Sequence, residues 1–367
     1  MDYNFKVSII TVTKNSEKTI QKTLQSIKNQ SYENVEYIII DGNSVDNTIN
    51  IVKEYSEYIS CIVSEPDEGI YDAMNKGISY ASGDIVLFLG AGDYLLEKAL
   101  KHVLKFFFDN PDIDIYCGEV YKRQGDDLQK RNNPFALNPD NLRYGMIYCH
   151  QAVFAKKVLF DYIGKFNTRY KISSDYDWLL RAYYQGAKFF YEKEYIAVFD
   201  YNGISSRKLM FMAKEALDVA KTNDAGQLYT KEIYHQYYQN YINAFVKEGR
   251  EYNALCQKRI VNEIPENKDI YIFGAGDLGT NIIKLLQSLG VAIKGIFDNS
   301  QKKNGGEIYG ITVMQPRAFK DAIYIIVTSQ YYDQEICKQL DEMGYIQQKD
   351  YVSCDFIGKI LEENTCL

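Results

Sequence analysis

Asp93 ends the stretch DIVLFLGAGDYL (84–95), in which five apolar residues run into three small ones. Gly90, Ala91 and Gly92 leave room for a bulky ligand beside the backbone. A carboxylate placed there suits a hard divalent cation, Mg²⁺ or Mn²⁺, that bridges to phosphate oxygens. The competing reading makes Asp93 the N-cap of a helix starting near Tyr94. The same four letters recur in DIYIFGAGDLGTNII (269–283). There Gly274, Gly276 and Gly279 form G-x-G-x-x-G between a strand pattern and a helical one, and Asp298 follows about twenty residues on, the spacing of a dinucleotide fingerprint. In this second copy Asp277 merely starts the helix, and the glycines would offer backbone N–H groups to a phosphate.

The elements that must position these groups are legible in the hydrophobic pattern. KVSIITV, VEYIIID, SCIVSEP and DIVLFLG read as buried strands. Between them Ile20, Leu24 and Ile27 share one helical face, Ile49, Val52 and Tyr55 another with Asp46 as N-cap, and IYDAMNKGISYAS forms a third helix. Buried strands joined by crossover helices predict a parallel α/β sheet with helices on both faces. Ligands of such sheets bind beyond the carboxyl ends of the strands. Thr13 to Asn15, Asp41, Glu65 to Asp67, and Asp93 all fall at such ends, so four loops converge on one edge.

Beyond Asp93 the pattern predicts a helix in LEKALKHVLKFFFDN, a strand in DIYCGEVY, and a loop over KRQGDDLQKRNNPFALNPDN. A strand in MIYCHQAVFA, a helix in SDYDWLLRAYYQG and a strand in KFFYEKEYIAVFDYN follow. The predicted domains are residues 1–206, a helical connector over 207–264, and a small α/β domain over 265–367. The last resembles, more loosely, the Rossmann-like nucleotide-binding domains attached to bacterial polysaccharide enzymes. Nucleotide binding and a packing or oligomerisation role are both open for it.

VSIITVTKN, IIIDGNSVDNT, EPDEGIYDAMNKGISYASGDIVLFLGAGD, CHQAVF and SSDYDWLLR occur in this order. Together they closely resemble the inverting glycosyltransferase family 2, whose members have the GT-A fold, over roughly residues 4–206. The resemblance implies a nucleotide-diphosphate-sugar donor, a divalent metal and transfer with inversion. It places Thr11, Val12, Thr13, Asn15, Asp41, Ser44, Asn75, Ala91, Gly92 and Asp93 around the nucleotide or donor sugar, with Asp41 on the base (uracil). Asp93 would hold the metal and Asp175 would be the catalytic base. Three positions depart from the family pattern: Gly92 stands where a carboxylate is usual, Lys14 where an aromatic residue is frequent, and Met74 where an arginine is.

The chemistry asks for the same parts. Inverting transfer is one in-line displacement, in which a carboxylate takes the acceptor proton and a cation offsets the charge growing on the diphosphate. Asp177 is the rival base; two residues along a helix it points roughly 200° from Asp175, so only one faces the site. His150 is either a structural hydrogen-bonding residue or a contact of diphosphate or acceptor. His102 and His235 read as structural. Arg207 and Lys208 could close over the diphosphate, a solvated loop being the other reading.

Composition excludes several classes. A net charge of −7 over 367 residues argues against non-specific nucleic-acid binding. Seven cysteines without a CxxC spacing read as reduced, mostly buried thiols of a cytoplasmic protein. No run approaches the ~18 apolar residues of a membrane span, and the start goes almost directly into a strand, without a secretory signal. Peripheral membrane contact and a homo-oligomer stay open. The expected function is sugar transfer from a UDP-sugar to a glycan or lipid-linked acceptor in cell-surface polysaccharide synthesis. The rivals are a non-catalytic nucleotide-sugar sensor and an NAD-dependent oxidoreductase or epimerase. The latter needs a catalytic Tyr/Lys pair after the second GAGD, and the sequence has none in place.

Overall fold

A computed structural model describes residues 4–131, 133–200, 209–223, 261–319, 322–329 and 332–353. Arg207, Lys208, His235, Cys256, Cys354, Cys366 and most of the expected connector lie outside the described residues. The chain divides into two compact units, Met1–Lys208 with Asp218–Ala225, and Leu209–Leu217 with Gly226–Leu367.

The first unit opens with β1 (Val7–Thr13), α1 (Ile20–Lys28), β2 (Val35–Asp41), α2 (Thr48–Lys53), β3 (Cys61–Ser64), α3 (Ile70–Tyr80) and β4 (Ile85–Phe88). It continues through β5 (Tyr94–Leu95), α4 (Ala99–Asp109), β6 (Ile115–Gln124), β7 (Asp127–Lys130), β8 (Val153–Lys156), α5 (Val158–Tyr162), α6 (Ser174–Tyr184) and β9 (Phe189–Asp200). The sheet order is β3-β2-β1-β4-β8-β6-β9-β5, with β7 paired to β6. Strands β3, β2, β1 and β4 run parallel, and β8 joins antiparallel to β4. The first four strands thus form the expected parallel sheet, and the later strands extend it as a mixed one. The crossovers from β1 lead to β2 on one side, and β4 lies on the other. A crevice opens where the direction of winding reverses.

The helices form where the periodicity put them. Ile20, Leu24 and Ile27 of α1 and Leu100, Val103, Leu104 and Phe107 of α4 are all buried in one cluster with Val7, Ile9, Leu87 and Phe154. Each such side chain contributes about 1.5–3 kcal/mol on full burial. Three local readings change. No helix starts at Tyr94: Asp93 leads into the short β5, and α4 begins at Ala99. KRQGDD is not a plain loop, because β6 and β7 close a hairpin there with Gly125 at φ +64°. The strand expected over MIYCHQAVFA is confined to β8, preceded by a single 3₁₀ turn, His150–Ala152.

Helix α7 (Leu209–Asn223) is divided between the units. The second unit contains β10 (Asp269–Phe273), α8 (Asp277–Ser288), β11 (Ile293–Phe297), β12 (Glu307–Ile308), β13 (Ile311–Met314), β14 (Ile323–Val327), α9 (Asp333–Glu342) and β15 (Tyr351–Val352). Its order is β12-β13-β11-β10-β14-β15, parallel except for β12. The five parallel strands thus have the 3-2-1-4-5 arrangement of a doubly wound sheet.

The second GAGD sits at the end of β10, and its glycines have separate reasons. Gly274 has φ +124°, and a Cβ on Gly279 would lie 1.8 Å from the Gly274 carbonyl oxygen. At Gly276 an added Cβ meets nothing within 4 Å. Gly279→Ala is therefore expected to cost about 1–3 kcal/mol through overpacking against rigid backbone, whereas Gly276→Ala should melt like the parent. Thermal unfolding of both variants checks the contrast; equal melting would show that the helix can move off the strand.

Candidate active site

The ends of β1 and β2 are braced against each other. Asp41 has no exposed surface. Its carboxylate accepts from the Ser44 N–H at 2.9 Å, the Ser44 hydroxyl at 2.5 Å and the Ser64 hydroxyl at 2.7 Å. Ser44 Oγ in turn accepts from the Asn15 N–H at 2.7 Å, and Asn15 Oδ1 from the Val45 N–H at 2.9 Å. Asp41, Ser44 and Asn15 thus tie the loops together, with the Asp41 carboxylate, the expected contact of the base, bonded to both serines. Thr11 is likewise spent inside the sheet, its hydroxyl 3.1 Å from that of Tyr37, and Val12 is buried beside it. Thr13 differs: its hydroxyl is buried at the strand end without a hydrogen-bond partner among the described residues. Asn75 is bonded at both ends of its amide. Its Nδ2 donates to the Phe166 carbonyl and its Oδ1 accepts from the Phe166 N–H, both at 2.9 Å.

The first GAGD turn is held from beneath by Thr23, whose hydroxyl accepts from the Gly92 N–H at 2.9 Å and donates to the Asp93 carbonyl at 2.7 Å. Gly92 has φ +112°, a conformation that disfavours any side chain and accounts for the missing carboxylate at that position. Ala91 is partly buried beside it. Asp93 is 7% exposed. Its Oδ1 accepts from the Asp200 N–H at 2.8 Å and its Oδ2 from Gln151 Nε2 at 3.0 Å. Burial raises its pKa; the Asp200 N–H, the charge of His150 and the Gln151 bond offset part of this, and the charge of Asp200 adds to it. Asp200 is itself paired with Arg123 at 2.7 Å.

Asp175 lies in the first turn of α6. Its Oδ1 accepts from the Tyr176 N–H at 2.9 Å and lies 2.9 Å from the Tyr71 hydroxyl, whose single hydrogen is shared with the Ile172 carbonyl at 2.5 Å; His150 Nδ1 lies 3.2 Å from Oδ2. With about four acceptor sites on a carboxylate, these three contacts leave one on Oδ2 among the described residues. Burial alone would depress the His150 pKa; the bond to Asp175, its charge and that of Asp93 outweigh this, and the net shift is upward. His150 pairs with Asp175, and its neighbour Gln151 donates to Asp93, so one short turn touches both carboxylates. Asp177 is outside it: 2% exposed, it pairs with Arg181 Nε at 2.9 Å and accepts from Asn223 Nδ2 at 2.9 Å. His102 pairs with Glu192, away from these groups.

A raised folded pKa means that the His150–Asp175 pair stabilises the fold fully below the unfolded histidine value of about 6.5 and loses that contribution as pH rises through the folded value. The melting gap between the parent and His150→Gln is expected to narrow on going from about pH 6 to about pH 9. A gap that widens would mean that His150 is held neutral.

Sequence reasoning missed Gln151, Tyr71, Arg123 and Asp200. Gln151 stood inside the quoted CHQAVF; its polarity within an otherwise apolar stretch was the available signal. Cys149, whose thiol donates to Gln151 Oε1 at 3.0 Å, is pushed up to about 12 chiefly by burial. Of the four cysteines among the described residues only Cys117 is fully buried; Cys61, Cys149 and Cys337 are intermediate, and all are free thiols.

In the second unit, Asp298 closes over the glycine turn. Its Oδ2 accepts from the Ala275 N–H at 2.8 Å and lies 3.3 Å from Lys303 Nζ, while Oδ1 accepts from the Ser300 N–H at 2.8 Å. A backbone donor expected for a phosphate is thus met from within the turn.

The sheet order and the crossovers are those of the GT-A glycosyltransferase fold. The family described as Glycosyl transferase family 2 matches residues 8–176, and the chain belongs to it. A PGL/p-HBAD biosynthesis glycosyltransferase of Mycobacterium bovis (strain BCG / Pasteur 1173P2) is 34% identical over 180 residues, which cover 48% of this chain and 69% of that protein. An uncharacterized glycosyltransferase of Rickettsia prowazekii is 27% identical over 191 residues, covering 48% and 58%. Among solved structures, S. aureus TarS 1-349 in complex with UDP-GlcNAc aligns with a TM-score of 0.55 at 17% identity, covering 77% of this chain and 82% of that one. The longer TarS chain gives 0.54 at 18%, covering 79% and 50%. Residues 266–350 match the family described as C2185-like, N-terminal.

Proposed function

We propose that this protein transfers a sugar, with inversion, from a nucleotide diphosphate to a hydroxyl of a glycan or lipid-linked acceptor, and that the transfer depends on a divalent metal. The observation that carries the reading is the His150–Ala152 turn, whose His150 pairs with Asp175 and whose Gln151 donates to Asp93, with one acceptor site on Asp175 Oδ2 left, among the described residues, for an incoming hydroxyl. Asp175 takes the acceptor proton. His150 holds the carboxylate at that oxygen, and the Tyr176 N–H, with the Tyr71 hydroxyl beside it, holds the other. A uridine donor is in keeping with the UDP-GlcNAc complex of TarS, and a role in cell-surface glycoconjugate synthesis with the name of the mycobacterial relative.

Asp93 would hold the metal, and the residues fit it. The donor is a hard carboxylate oxygen, its burial leaves a charge that a cation would offset, and among the described residues each oxygen spends one acceptor site. No group of three or more His, Cys, Asp or Glu comes together among the described residues. The shell would therefore be completed by diphosphate oxygens and water, as is usual for Mg²⁺. Bound there, the metal would offset charge developing on the leaving diphosphate.

Among the described residues no helix is long and apolar enough to cross a membrane. Contact with a lipid-linked acceptor would be made from the membrane surface. Calorimetry of UDP with and without Mn²⁺ tests the donor side: the parent should gain affinity with the metal, and Asp93→Asn should lose that gain while keeping its fold. The same metal-dependent gain in the variant would remove Asp93 from the site.

A further inference from the structure

We infer that Gln151 is a positioning residue for Asp93, oriented for that task by the Cys149 thiol. The inference rests on the reading of Asp93 as the donor-side ligand. Gln151 is 2% exposed, so its amide must find its partners inside the protein. The two ends of that amide are not equivalent. Cys149 Sγ donates to Oε1 at 3.0 Å, which settles the oxygen end on the thiol and turns the NH₂ end to Asp93 Oδ2, also at 3.0 Å. Flipped, the amide would set its oxygen against a carboxylate and its NH₂ against a thiol hydrogen. On the far side the Asp200 N–H holds Oδ1 at 2.8 Å. One donor on each oxygen stops the carboxylate from turning about its Cβ–Cγ bond, and the remaining lone pairs keep a fixed direction. A cation binding there meets a ligand already ordered, so the entropy of ordering it is not charged to binding.

Gln151→Met keeps the volume and removes the donor. Its affinity for Mn²⁺·UDP, measured by calorimetry, should fall about ten- to a hundredfold, the usual range for groups that orient a metal ligand, while affinity for UDP without metal stays at the parent value. Cys149→Ala should shift Mn²⁺·UDP affinity in the same direction by less, and Cys149→Ser, which still donates, should restore it. If Gln151→Met does not fold, the cysteine pair carries the test: equal affinity in Ala and Ser overturns the inference. Parent-like affinity in a folded Gln151→Met, with Asp93→Asn impaired, overturns it and leaves the site assignment standing. Parent-like affinity in both Gln151→Met and Asp93→Asn overturns the two together.

Discussion

Asp175→Asn is expected to bind donor like the parent and to transfer about 10²–10⁴ times more slowly, the usual cost of losing a general base. The amide keeps the shape and can still accept from Tyr71, so the fold is held. It cannot take a proton from the acceptor. Because the base acts only on the acceptor, affinity for Mn²⁺·UDP should not register the change. Initial rates beside calorimetry of the same preparation give both numbers. Slow transfer together with weak donor binding would mean that Asp175 supports the donor pocket instead.

Two residues further on, the opposite outcome is expected. Asp177→Ala leaves Arg181 with the carbonyls of Ile163 at 2.7 Å and Lys165 at 2.8 Å but no counter-charge, and it removes one of the two acceptors of Asn223 Nδ2. Breaking one side of a buried ion pair costs about 3–5 kcal/mol. The Asp177 side chain is 3% exposed but that of Arg181 is 21%, so the lower end applies, with a fall in Tm on the order of 6–12 °C. Such folded protein as remains should turn over normally. An unchanged Tm with lost activity would exchange the roles assigned to Asp175 and Asp177.

These two residues also show what a sequence can carry. The helical period separates their directions, and the ordered motifs favour Asp175; the structure adds the Arg181 and Asn223 partners that commit Asp177. The strands, α1 and α4 were legible because their signal is local: an apolar period and a strand end. The partners of the site are not local. Gln151 lies 58 residues from Asp93, and Tyr71 lies 104 from Asp175. Nothing in either neighbourhood encodes the other, so no pattern pairs them. The surroundings of Asp41 were hidden for another reason. Its place at a strand end was correct, but the serines at 44 and 64 turn the carboxylate inward, and only the folded loops reveal that both are within reach. The glycines of the second GAGD were found by spacing alone, which cannot distinguish a phosphate turn from one whose donor is taken by Asp298.

The bond from the Asp200 N–H to Asp93 has a consequence for a chain still being made. Synthesis runs from the amino end, and the four parallel strands β1 to β4 are complete once residue 88 has emerged. A domain fragment of that length already has strand partners and much of its apolar core. Its donor-side carboxylate, however, waits for Gln151 and then for Asp200, the last residue of β9. If Asp93 holds the cation as proposed, a nascent or truncated chain that folds early would lack an ordered cation ligand until nearly the whole first unit exists. Half-made protein would not compete with finished enzyme for metal-bound nucleotide.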